Sequence, residues 1–372
     1  MIIFLNFAPI TFMGGAEKWM NETAGRVGKH EKSLLVSVAP EVANVYGKLV
    51  LKRTFDARSD SYKLHDNISL AGISFLPFSV EWKRVREQFK KSRLIYAKYE
   101  LLELLIIIYF GGLGAIKKTV AGIHSPFLYA TPGSLLDHVH NAVYRSQTSQ
   151  LILSHVKKIH VLNVRDKNIM RDDLKLENVT YVPNGIMVPK NPVAQSKEPD
   201  KLFILFVGEL SERKGVDVLL DIMKHSPKNF FFTIAGDGPM SGEVRRLAAK
   251  NNHCTYKGYL HEEWLQELYK ANDVLILPSR AESMSLATLE ALSHGLIIVN
   301  SHETSLSLEK DIEYSCDSNN IAGYIDALKE IQKRKQDKQI SRVEIQNYFK
   351  KNFSSEIIYK KLFTEVLSIS SV

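Results

Sequence analysis

The strongest constraint on the fold is a series of short, continuous apolar runs that alternate with segments of helical spacing. In the first half the runs are MIIFLNF (1–7), SLLVSVA (33–39), KTVAGIH (118–124), KIHVLN (158–163) and VTYVPNG (179–185). In the second half they are LFILFVG (202–208), FFFTIAG (230–236), TYKGYL (255–260), DVLILPS (273–279) and LIIVNS (296–301). A run that is apolar at every position is typical of a parallel strand covered by helices on both faces. Because the β–α–β alternation occurs twice, the sequence predicts two doubly wound α/β domains.

The two halves are separated by a polar stretch with four prolines and no helical period, PNGIMVPKNPVAQSKEPDK (183–201), which we interpret as an interdomain linker. The predicted parts are an N-terminal domain over 1–185, a linker over 186–201, a second domain over 202–345 and a C-terminal segment over 346–372. The amphipathic spacing of 348–369 predicts a helix, with Ser354 and Ser355 as candidate N-caps. In doubly wound sheets ligands bind beyond the carboxyl ends of the strands. We therefore expect functional residues just after strands, in a cleft between two facing domains.

The composition argues against several classes of protein. Two cysteines, Cys254 and Cys316, without any Cys/His metal spacing indicate a reducing compartment, no disulfide and no metal. The apolar N-terminus has no preceding positive residue and breaks at Asn6 and Pro9, so we interpret it as a buried strand rather than a signal peptide. The longest apolar run, 101–114, is shorter than the ~20 residues that span a bilayer. We expect a soluble cytoplasmic chain without a transmembrane helix, either free or peripheral at the inner face of the cell membrane.

The positive charge is concentrated in the first half. Residues 1–190 carry a net charge of +10 and the remainder −2, giving the total of +8. This imbalance indicates an anionic partner: a membrane surface, a polyanionic acceptor or nucleic acid, the last disfavoured because no recognised motif accompanies the charge. The segment 79–98 has seven basic residues against two acidic ones, with Trp82, Val85 and Phe89 at helical spacing. It is either a helix that lies on an anionic membrane or a surface helix packed on its own domain, and the charge imbalance favours the first.

Two glycine-containing turns in the second half follow strands. In FVGELSERKGVDVLL (206–220), Lys214 lies between a strand and a helix, where the helix N-terminus would help it to bind a phosphate; a solvated loop lysine is the alternative. In IAGDGPMSG (234–242), the third glycine comes one position late for a dinucleotide fingerprint, and no acidic residue ends the next strand. A tight turn is therefore favoured there over a nicotinamide site.

The stretch SRAESMSLATLEALSHG (279–295) contains two glutamates eight positions apart, Glu282 and Glu290. Its leucines predict a helix that starts near Ser285 and ends before Gly295. Eight residues span roughly 12 Å on a helix, so the two carboxylates cannot share one ligand oxygen. They fit the two ends of an elongated ligand, such as a sugar, a pyrophosphate and a ribose, whose anionic middle meets the helix N-terminus. The alternative is that Glu282 is solvent-exposed and Glu290 caps a neighbouring loop, and spacing alone leaves both open.

Taken in order, these segments resemble glycosyltransferase family 4, a group of retaining enzymes with the GT-B fold. The resemblance is carried by PITFMGGAEKWMNE near the start, VPNGI before the linker, FVGELSERKGVDVLL, IAGDGP, and YKGYLHEEWLQELYKANDVLILPSRAESMSLATLEALSHGLIIVNS. Order and spacing match best over about 200–302. The resemblance implies two Rossmann-like domains that face each other across a cleft, and a C-terminal helix that crosses back to the N-terminal domain.

The resemblance also implies roles for individual residues. Three of them are expected at the reaction centre: Glu282 at the donor sugar, Lys214 at the pyrophosphate and His124 near the donor sugar and acceptor. The others are expected to bind the donor. Glu290 would bind the ribose. The sugar and phosphates would meet the backbone N–H groups of Ser283, Met284, Ser285 and Leu286, the base would lie beside Gly258, Tyr259 and Leu260, and the N-terminal glycine loop would be Gly14 and Gly15.

The chain departs from the family pattern at a few positions. Glu209 stands where the family has an arginine, and Arg213 is a hypothetical substitute for it; Ser283–Met284 replaces Gly-Phe, and Ile297 stands where Pro is common. The implied reaction moves a hexose from a nucleotide diphosphate sugar to a hydroxyl of a glycan or lipid-linked acceptor, without a metal cofactor. There are two alternatives. The first, motivated by Glu209, is a catalytically weak nucleotide-sugar-binding partner of another transferase, and the second is a nucleotide-sugar epimerase.

Overall fold

The computed structural model describes residues 1–6, 15–37, 40–45, 48–59, 62–69, 80–98, 101–124, 135–189 and 198–369. Its helices are α1 (Gly15–Val27), α2 (Val80–Lys91), α3 (Leu101–Gly111), α4 (Leu135–Arg145), α5 (Gln147–His155), α6 (Val164–Asn168), α7 (Val216–His225), α8 (Ser241–Lys250), α9 (Glu262–Ala271), α10 (Leu286–Ser293), α11 (Ile321–Gln336), α12 (Arg342–Phe353) and α13 (Ser355–Lys361). None of the helices in these ranges is both long enough and apolar enough to cross a membrane.

The N-terminal half is built on a six-stranded parallel sheet. Its strands are β1 (Ile2–Asn6), β2 (Ser33–Ser37), β6 (Leu94–Lys98), β7 (Thr119–Ile123), β8 (Lys158–Val161) and β9 (Val179–Tyr181). They lie in the order β2-β1-β6-β7-β8-β9. The strand predicted at each of the five apolar runs is confirmed, and the side chains of β7 are all buried, as expected for a strand covered on both faces.

The C-terminal half has a second six-stranded parallel sheet. Its strands are β10 (Leu202–Val207), β11 (Phe230–Ala235), β12 (Cys254–Gly258), β13 (Val274–Leu277), β14 (Ile297–Ser301) and β15 (Glu313–Cys316). The order β12-β11-β10-β13-β14-β15 is that of a doubly wound dinucleotide-type sheet, in which the strand order reverses between the first and fourth strands. That reversal lies between β10 and β13. Both cysteines are free and buried in this half, and burial raises the pKa of each thiol to about 11.

A third, antiparallel sheet was not predicted. It consists of β3 (Pro40–Val45), β4 (Lys48–Ser59) and β5 (Tyr62–Ser69). The strands β6 and β15 were also missed.

The prediction of one basic helix over 79–98 is wrong at its C-terminal end. The helix α2 stops at Lys91, and Leu94–Lys98 forms strand β6 between β1 and β7. The physical reason is that Leu94 to Ala97 are four consecutive apolar residues, which are all buried in the sheet. The part of this segment that could face an anionic surface is therefore α2 alone.

The prediction of a helix over 348–369 is confirmed for its N-cap candidate Ser354, but it is wrong for 348–353, because these residues belong to the preceding helix α12. Ser354 is the C-cap of α12 and the N-cap of α13, and a π-helical turn over Leu362–Val366 continues α13. At this junction of the two helices the backbone pairs with the segment that enters the second half: Ile186 N–H donates to the Phe353 carbonyl over 3.3 Å, and Ser355 N–H donates to the Ile186 carbonyl over 2.8 Å. The two chain crossings between the halves therefore run side by side.

Beyond the crossing, the chain packs on the N-terminal sheet. One buried cluster joins side chains of the first half to side chains of the last helix and the turn after it. Its members from the first half include Ile2, Phe4, Trp19, Met20, Leu94, Tyr96 and Val120, and those from the end of the chain are Ile358, Tyr359, Leu362, Phe363, Val366, Leu367 and Ile369.

Candidate active site

Two loops at the centre of the C-terminal sheet bring the predicted donor-binding residues together. One follows β10 and contains Lys214, and the other follows β13 and contains Glu282. Since β10 and β13 flank the reversal of strand order, the connections that leave their carboxyl ends run to opposite faces of the sheet, and folds of this class have their ligand crevice between such connections. The sheet topology thus places both loops where this class of fold binds its ligand.

Lys214 and Glu282 form an ion pair in this crevice. The Lys214 Nζ lies 2.8 Å from Glu282 Oε1, and the lysine and glutamate side chains are 16% and 7% exposed. The Ser279 hydroxyl donates a second hydrogen bond to the same carboxylate oxygen over 2.8 Å. The Ser301 hydroxyl in turn donates to the Ser279 carbonyl, which fixes the loop to β14. Glu282 is therefore buried and paired, and the alternative of a solvent-exposed carboxylate is wrong.

The Glu282 carboxylate remains ionised because its partners outweigh its burial. Burial alone raises the pKa of a carboxyl group, but the charge and hydrogen bond of Lys214, with Ser279 and Arg213, lower the pKa of Glu282 below its ordinary value. The site therefore holds a negative charge next to the predicted phosphate-binding ammonium. Because an ammonium has three N–H donors, Lys214 can bind Glu282 and a phosphate oxygen together.

The helix α10 begins where the sequence predicts. Ser285 is its N-cap, with an extended backbone and a side chain that accepts from the Thr288 N–H over 3.4 Å, and Leu286 is its first residue. The residues before it contact the N-terminal half: the Ser283 hydroxyl donates to the Ile123 carbonyl over 3.3 Å, and Asn163 Nδ2 donates to the Ser283 carbonyl over 2.5 Å. The loop between β13 and α10, residues 278–285, is called the donor-side loop below. Through Ser283 it is hydrogen-bonded to residues at strand ends of the other half.

Met284 makes a further contact of the same kind, since its sulfur accepts from the Asn184 N–H over 3.0 Å. A phenylalanine, which is usual in the related family at this position, has no acceptor there. The departure Ser283–Met284 therefore supplies two side-chain contacts between the halves.

Glu290 lies one to two turns inside α10, and its carboxylate accepts a hydrogen bond from the Tyr269 hydroxyl over 2.7 Å. Burial, reinforced by the Glu290 charge, raises the pKa of Tyr269 well above its ordinary value, so this hydroxyl stays protonated and acts as a donor. Tyr269 stacks on His294 with ring centroids 5.4 Å apart. The buried, stacked Tyr269 thus orients the Glu290 carboxylate, and a carboxylate that binds ribose hydroxyls needs such a fixed orientation.

Arg213 is paired with the unusual acidic residue of the site. Its Nη2 lies 3.1 Å from Glu209 Oε2, and its Nη1 donates to the Ala281 carbonyl over 3.3 Å. The guanidinium therefore binds both the loop after β10 and the loop after β13. Glu209 is half exposed, and its charge is compensated by Arg213 rather than directed alone at the crevice.

Two glycines let these loops approach each other. Gly215 has φ of +68°, and a Cβ there would overlap the Pro278 carbonyl at the end of the neighbouring strand. Gly236 has φ of +145°, and a Cβ there would overlap the Gly208 carbonyl. The glycines of IAGDG therefore serve a tight turn with close backbone contact, in agreement with the favoured sequence interpretation.

The remaining predicted residues within the described ranges lie at the ends of secondary-structure elements. Gly258 ends β12 with φ of +68°, Tyr259 is 71% exposed, and Leu260 follows it in the turn before α9. Gly14 lies outside the described residues, and Gly15 is the first residue of α1. The roles expected for these residues, contact with the base and with the phosphates, therefore stay predictions.

His124 follows β7 directly, one residue after the Ile123 carbonyl that binds Ser283. Its Nε2 lies 2.8 Å from the Tyr96 hydroxyl, and its ring packs on Trp19 with centroids 4.5 Å apart. Burial, with the charges of His160 and Lys98, lowers the pKa of His124 well below its ordinary value. The histidine is therefore neutral and lies beside the donor-side loop.

Sequence reasoning missed the partners that hold these residues: Ser279, Tyr269, Asn163, Tyr96 and His160. The serine lies three positions before Glu282 and has the strand-end placement that the prediction used, so it was within reach. The others are 21 to 120 positions from the residues they serve, and no local spacing indicates such pairs.

Within the described ranges, no three His, Cys, Asp or Glu side chains are grouped closely enough to hold a metal ion. The expectation of a metal-independent site stays a prediction.

Comparison with known proteins finds a matching family model for the second half of the chain. Residues 188–352 match the family model described as glycosyl transferases group 1. An uncharacterized glycosyltransferase of Haemophilus influenzae is 23% identical over 283 residues, which cover 72% of this chain and 76% of the relative. Five further curated relatives align over only 20% to 50% of their own length.

Solved structures match along the whole chain. The lipopolysaccharide outer core galactosyltransferase WaaB in its apo form has a TM-score of 0.71 at 16% identity, with 99% of both chains covered. Anabaena HepE in complex with UDP-glucose has a TM-score of 0.65 at 14% identity, again with 99% of both chains covered. At such identities the likeness shows the fold alone, and it confirms the predicted GT-B arrangement of two Rossmann-like domains.

Proposed function

Because residues 188–352 match the family model of the glycosyl transferases group 1, we propose that the protein is a retaining hexosyltransferase. Its donor is a nucleotide diphosphate sugar, and its acceptor is a hydroxyl of a glycan or a lipid-linked saccharide in surface polysaccharide or glycolipid synthesis. UDP-sugars are the first donors to test, because the similar HepE structure contains UDP-glucose.

One observation supports this proposal above the others. The Lys214–Glu282 pair lies in the loop region before the N-terminus of α10. Glu290 lies within the same helix, where its carboxylate accepts a hydrogen bond from Tyr269. A cation, a helix N-terminus and two separated carboxylates together complement a pyrophosphate with a neutral, hydroxyl-bearing group at each end. The donor sugar would lie at Glu282 and the ribose at Glu290.

The chemistry follows from which charge grows during transfer. The bond between the anomeric carbon and the donor phosphate breaks, and its electron pair stays on the phosphate. The acceptor oxygen bonds to the anomeric carbon on the same face, and its proton passes to the leaving phosphate. Lys214, Arg213 and the α10 N–H groups would stabilise the negative charge that grows on the diphosphate, and the closed domains would hold the acceptor oxygen beside the leaving phosphate, on the same face of the anomeric carbon.

A catalytically weak nucleotide-sugar-binding partner is the second candidate, and the Glu209–Arg213 pair favours it. An arginine that is held by a carboxylate has fewer donors left for a phosphate, and Glu209 itself repels the diphosphate. Binding without turnover would be the result.

On the acceptor side, contact with an anionic membrane would suit a lipid-linked acceptor. Arg86, Lys90 and Lys91 are exposed on α2, which packs against α3. Leu105 and Tyr109 on α3 are 55% and 42% exposed, and Arg86 lies over the Tyr109 ring with 5.7 Å to its centroid. Basic side chains beside exposed apolar ones are typical of surfaces that bind anionic lipid headgroups.

The deciding experiment screens UDP-, GDP- and ADP-sugars by thermal shift and then measures release of nucleoside diphosphate with and without acceptors. We expect at least one donor to stabilise the protein and to be turned over, and Glu290→Ala to abolish the thermal shift. Glu267→Ala, which removes an exposed carboxylate of the same half, is the matched control and should behave as the wild type. Binding without turnover would favour the partner hypothesis, an isomerised donor without acceptor would indicate an epimerase, and binding that survives Glu290→Ala would contradict the proposed ribose contact.

A further inference from the structure

A chain of three hydrogen bonds crosses the N-terminal sheet. The Tyr96 hydroxyl lies 2.8 Å from His124 Nε2 and 2.6 Å from His160 Nδ1, and His160 Nε2 lies 2.8 Å from the Val182 carbonyl oxygen. These residues come from β6, the end of β7, β8 and the residue after β9, which are neighbouring strands. Tyr96 is fully buried and His160 nearly so, whereas His124 is partly exposed.

The last bond determines the direction of the other two. A carbonyl oxygen only accepts, so His160 carries a proton on Nε2. A neutral imidazole has a single N–H, and His160 Nδ1 is therefore an acceptor for the Tyr96 hydroxyl. Because that hydroxyl already donates its only hydrogen to His160, its oxygen accepts a hydrogen bond from His124. His124 must therefore carry its proton on Nε2.

This assignment requires that all three side chains are neutral, and their surroundings favour this. Burial lowers the pKa of His160 to about 4, although its bond to the Val182 carbonyl acts in the opposite direction. Burial also raises the pKa of Tyr96 well above its ordinary value, and the pKa of His124 is lowered as described above. Near pH 7 only one arrangement of protons satisfies the three bonds.

We propose that Tyr96 and His160 are positioning residues that hold His124 in the tautomer with its proton on Nε2 and its lone pair on Nδ1. A ring held in this form accepts a hydrogen bond through Nδ1 and cannot donate one there. Only the final step rests on the proposed function: Nδ1 accepts a hydrogen bond from a hydroxyl of the substrate, because His124 lies beside the donor-side loop.

Two further features show that the arrangement is built into the fold. Trp19 packs against all three rings, with centroid distances of 4.5 Å to His124, 5.3 Å to Tyr96 and 6.0 Å to His160. Gly122 on β7 leaves the space for the hydroxyl, since a Cβ at that position would overlap the Tyr96 oxygen. The position of the Tyr96 hydroxyl is therefore determined both by the space above Gly122 and by the packing of the rings on Trp19.

The tautomer can be measured without any substrate. The protein has 12 histidines, so the full chain is labelled with ¹⁵N-histidine, and two-bond ¹H–¹⁵N correlation spectra at pH 7 are assigned with His124→Gln and His160→Gln. We expect both rings to be neutral with the proton on Nε2. Tyr96→Phe should release His124 into a mixture of both tautomers, whereas Tyr324→Phe should not; Tyr324 is buried, and its hydroxyl has no hydrogen-bond partner among the described residues.

A second measurement tests the effect on the reaction. Losing one oriented hydrogen bond should lower kcat/KM of Tyr96→Phe by about fivefold to tenfold, with unchanged affinity for the nucleoside diphosphate, which the other half binds. Comparing KM for donor and acceptor then identifies which hydroxyl meets His124. Nδ1 protonation of His124 in the wild type, or an unchanged tautomer in Tyr96→Phe, would overturn the inference. An absence of turnover in the wild type would instead contradict the proposed function, and the spectra would still decide the tautomer.

Discussion

The two halves of the molecule share one architecture but use polar side chains in opposite ways. In the C-terminal half the site is built from charges held close together: Lys214 with Glu282, and Arg213 with Glu209. In the N-terminal half the polar groups next to the cleft form a neutral chain through Tyr96, and the net charge of +10 over residues 1–190 is carried elsewhere.

The difference matches what each half is proposed to bind. A diphosphate is anionic and is best met by cations and helix N–H groups. Sugar hydroxyls are neutral and directional, so a neutral histidine with one defined tautomer can accept a hydrogen bond from one of them without adding a charge to that side of the cleft. Three changes test this division between a charged and a neutral side of the site.

The largest effect is expected when the surface charge of the N-terminal half is reversed. Exposed lysines and arginines near an anionic membrane contribute about 1 kcal/mol each, so changing Arg86, Lys90 and Lys91 to Glu should weaken binding to anionic vesicles about a hundredfold. Flotation with vesicles that contain anionic lipid measures this. The control changes Lys29, Lys32 and Lys175 to Glu, which are exposed basic residues of the same half. Equal flotation of both variants and the wild type would place the membrane contact elsewhere or exclude it.

A smaller effect is expected when the cation of the site is removed. Lys214→Ala deletes a charge-assisted bond to the diphosphate and should lower nucleoside diphosphate affinity at least about tenfold, which is roughly 1.4 kcal/mol. Isothermal titration calorimetry measures this directly, and the circular dichroism spectrum should not change. Lys224→Ala serves as the control, because Lys224 is half exposed and paired with Asp221 on α7. An unchanged affinity of Lys214→Ala for the nucleoside diphosphate would contradict the proposed phosphate-binding role of Lys214.

The smallest effect should come from neutralising the acid of the pair. Glu282→Gln keeps the shape and the hydrogen bond from Ser279, and it removes a negative charge next to the diphosphate. We expect affinity for the nucleoside diphosphate to rise about twofold to threefold while transfer falls, because the donor sugar loses its carboxylate partner.

The pH dependence of this change has a defined sign. The pKa of Glu282 lies below its ordinary value, so the wild-type carboxylate is charged at every pH above about 5. The ratio of affinities between variant and wild type should therefore be constant from pH 5 upward and approach one only in more acidic solution. A ratio that changes near pH 7 would mean that another group controls the charge of the pair.

The sequence predicted what depends on local pattern. Continuous apolar runs located ten of the twelve strands of the two parallel sheets, and the leucine spacing with Ser285 located α10. The strand β6 was missed because its residues Leu94–Lys98 follow α2 so closely that the basic character of 79–98 masked the apolar run LIYA.

Contacts between distant residues could not be predicted in the same way. Lys214 and Glu282 are 68 positions apart, and each has a plausible separate role at a strand end. Only the strand order, which brings β10 next to β13, makes them a pair. The neutral chain in the other half left one sequence signal: Gly122 is a glycine within the buried strand β7, and the Tyr96 hydroxyl on the neighbouring strand occupies the space that a side chain would need.

The path of the last helix has a consequence for how the protein is made. Ile2 and Phe4 on the N-terminal sheet share a buried cluster with Leu362, Phe363 and Val366, so an apolar face of this sheet is covered by residues that are synthesised about 360 positions later. A ribosome that adds about 5–20 residues per second leaves this apolar face of the nascent chain uncovered for some 20–70 seconds. Premature termination before α13 would therefore release a chain in which this apolar face of the N-terminal sheet stays open to water.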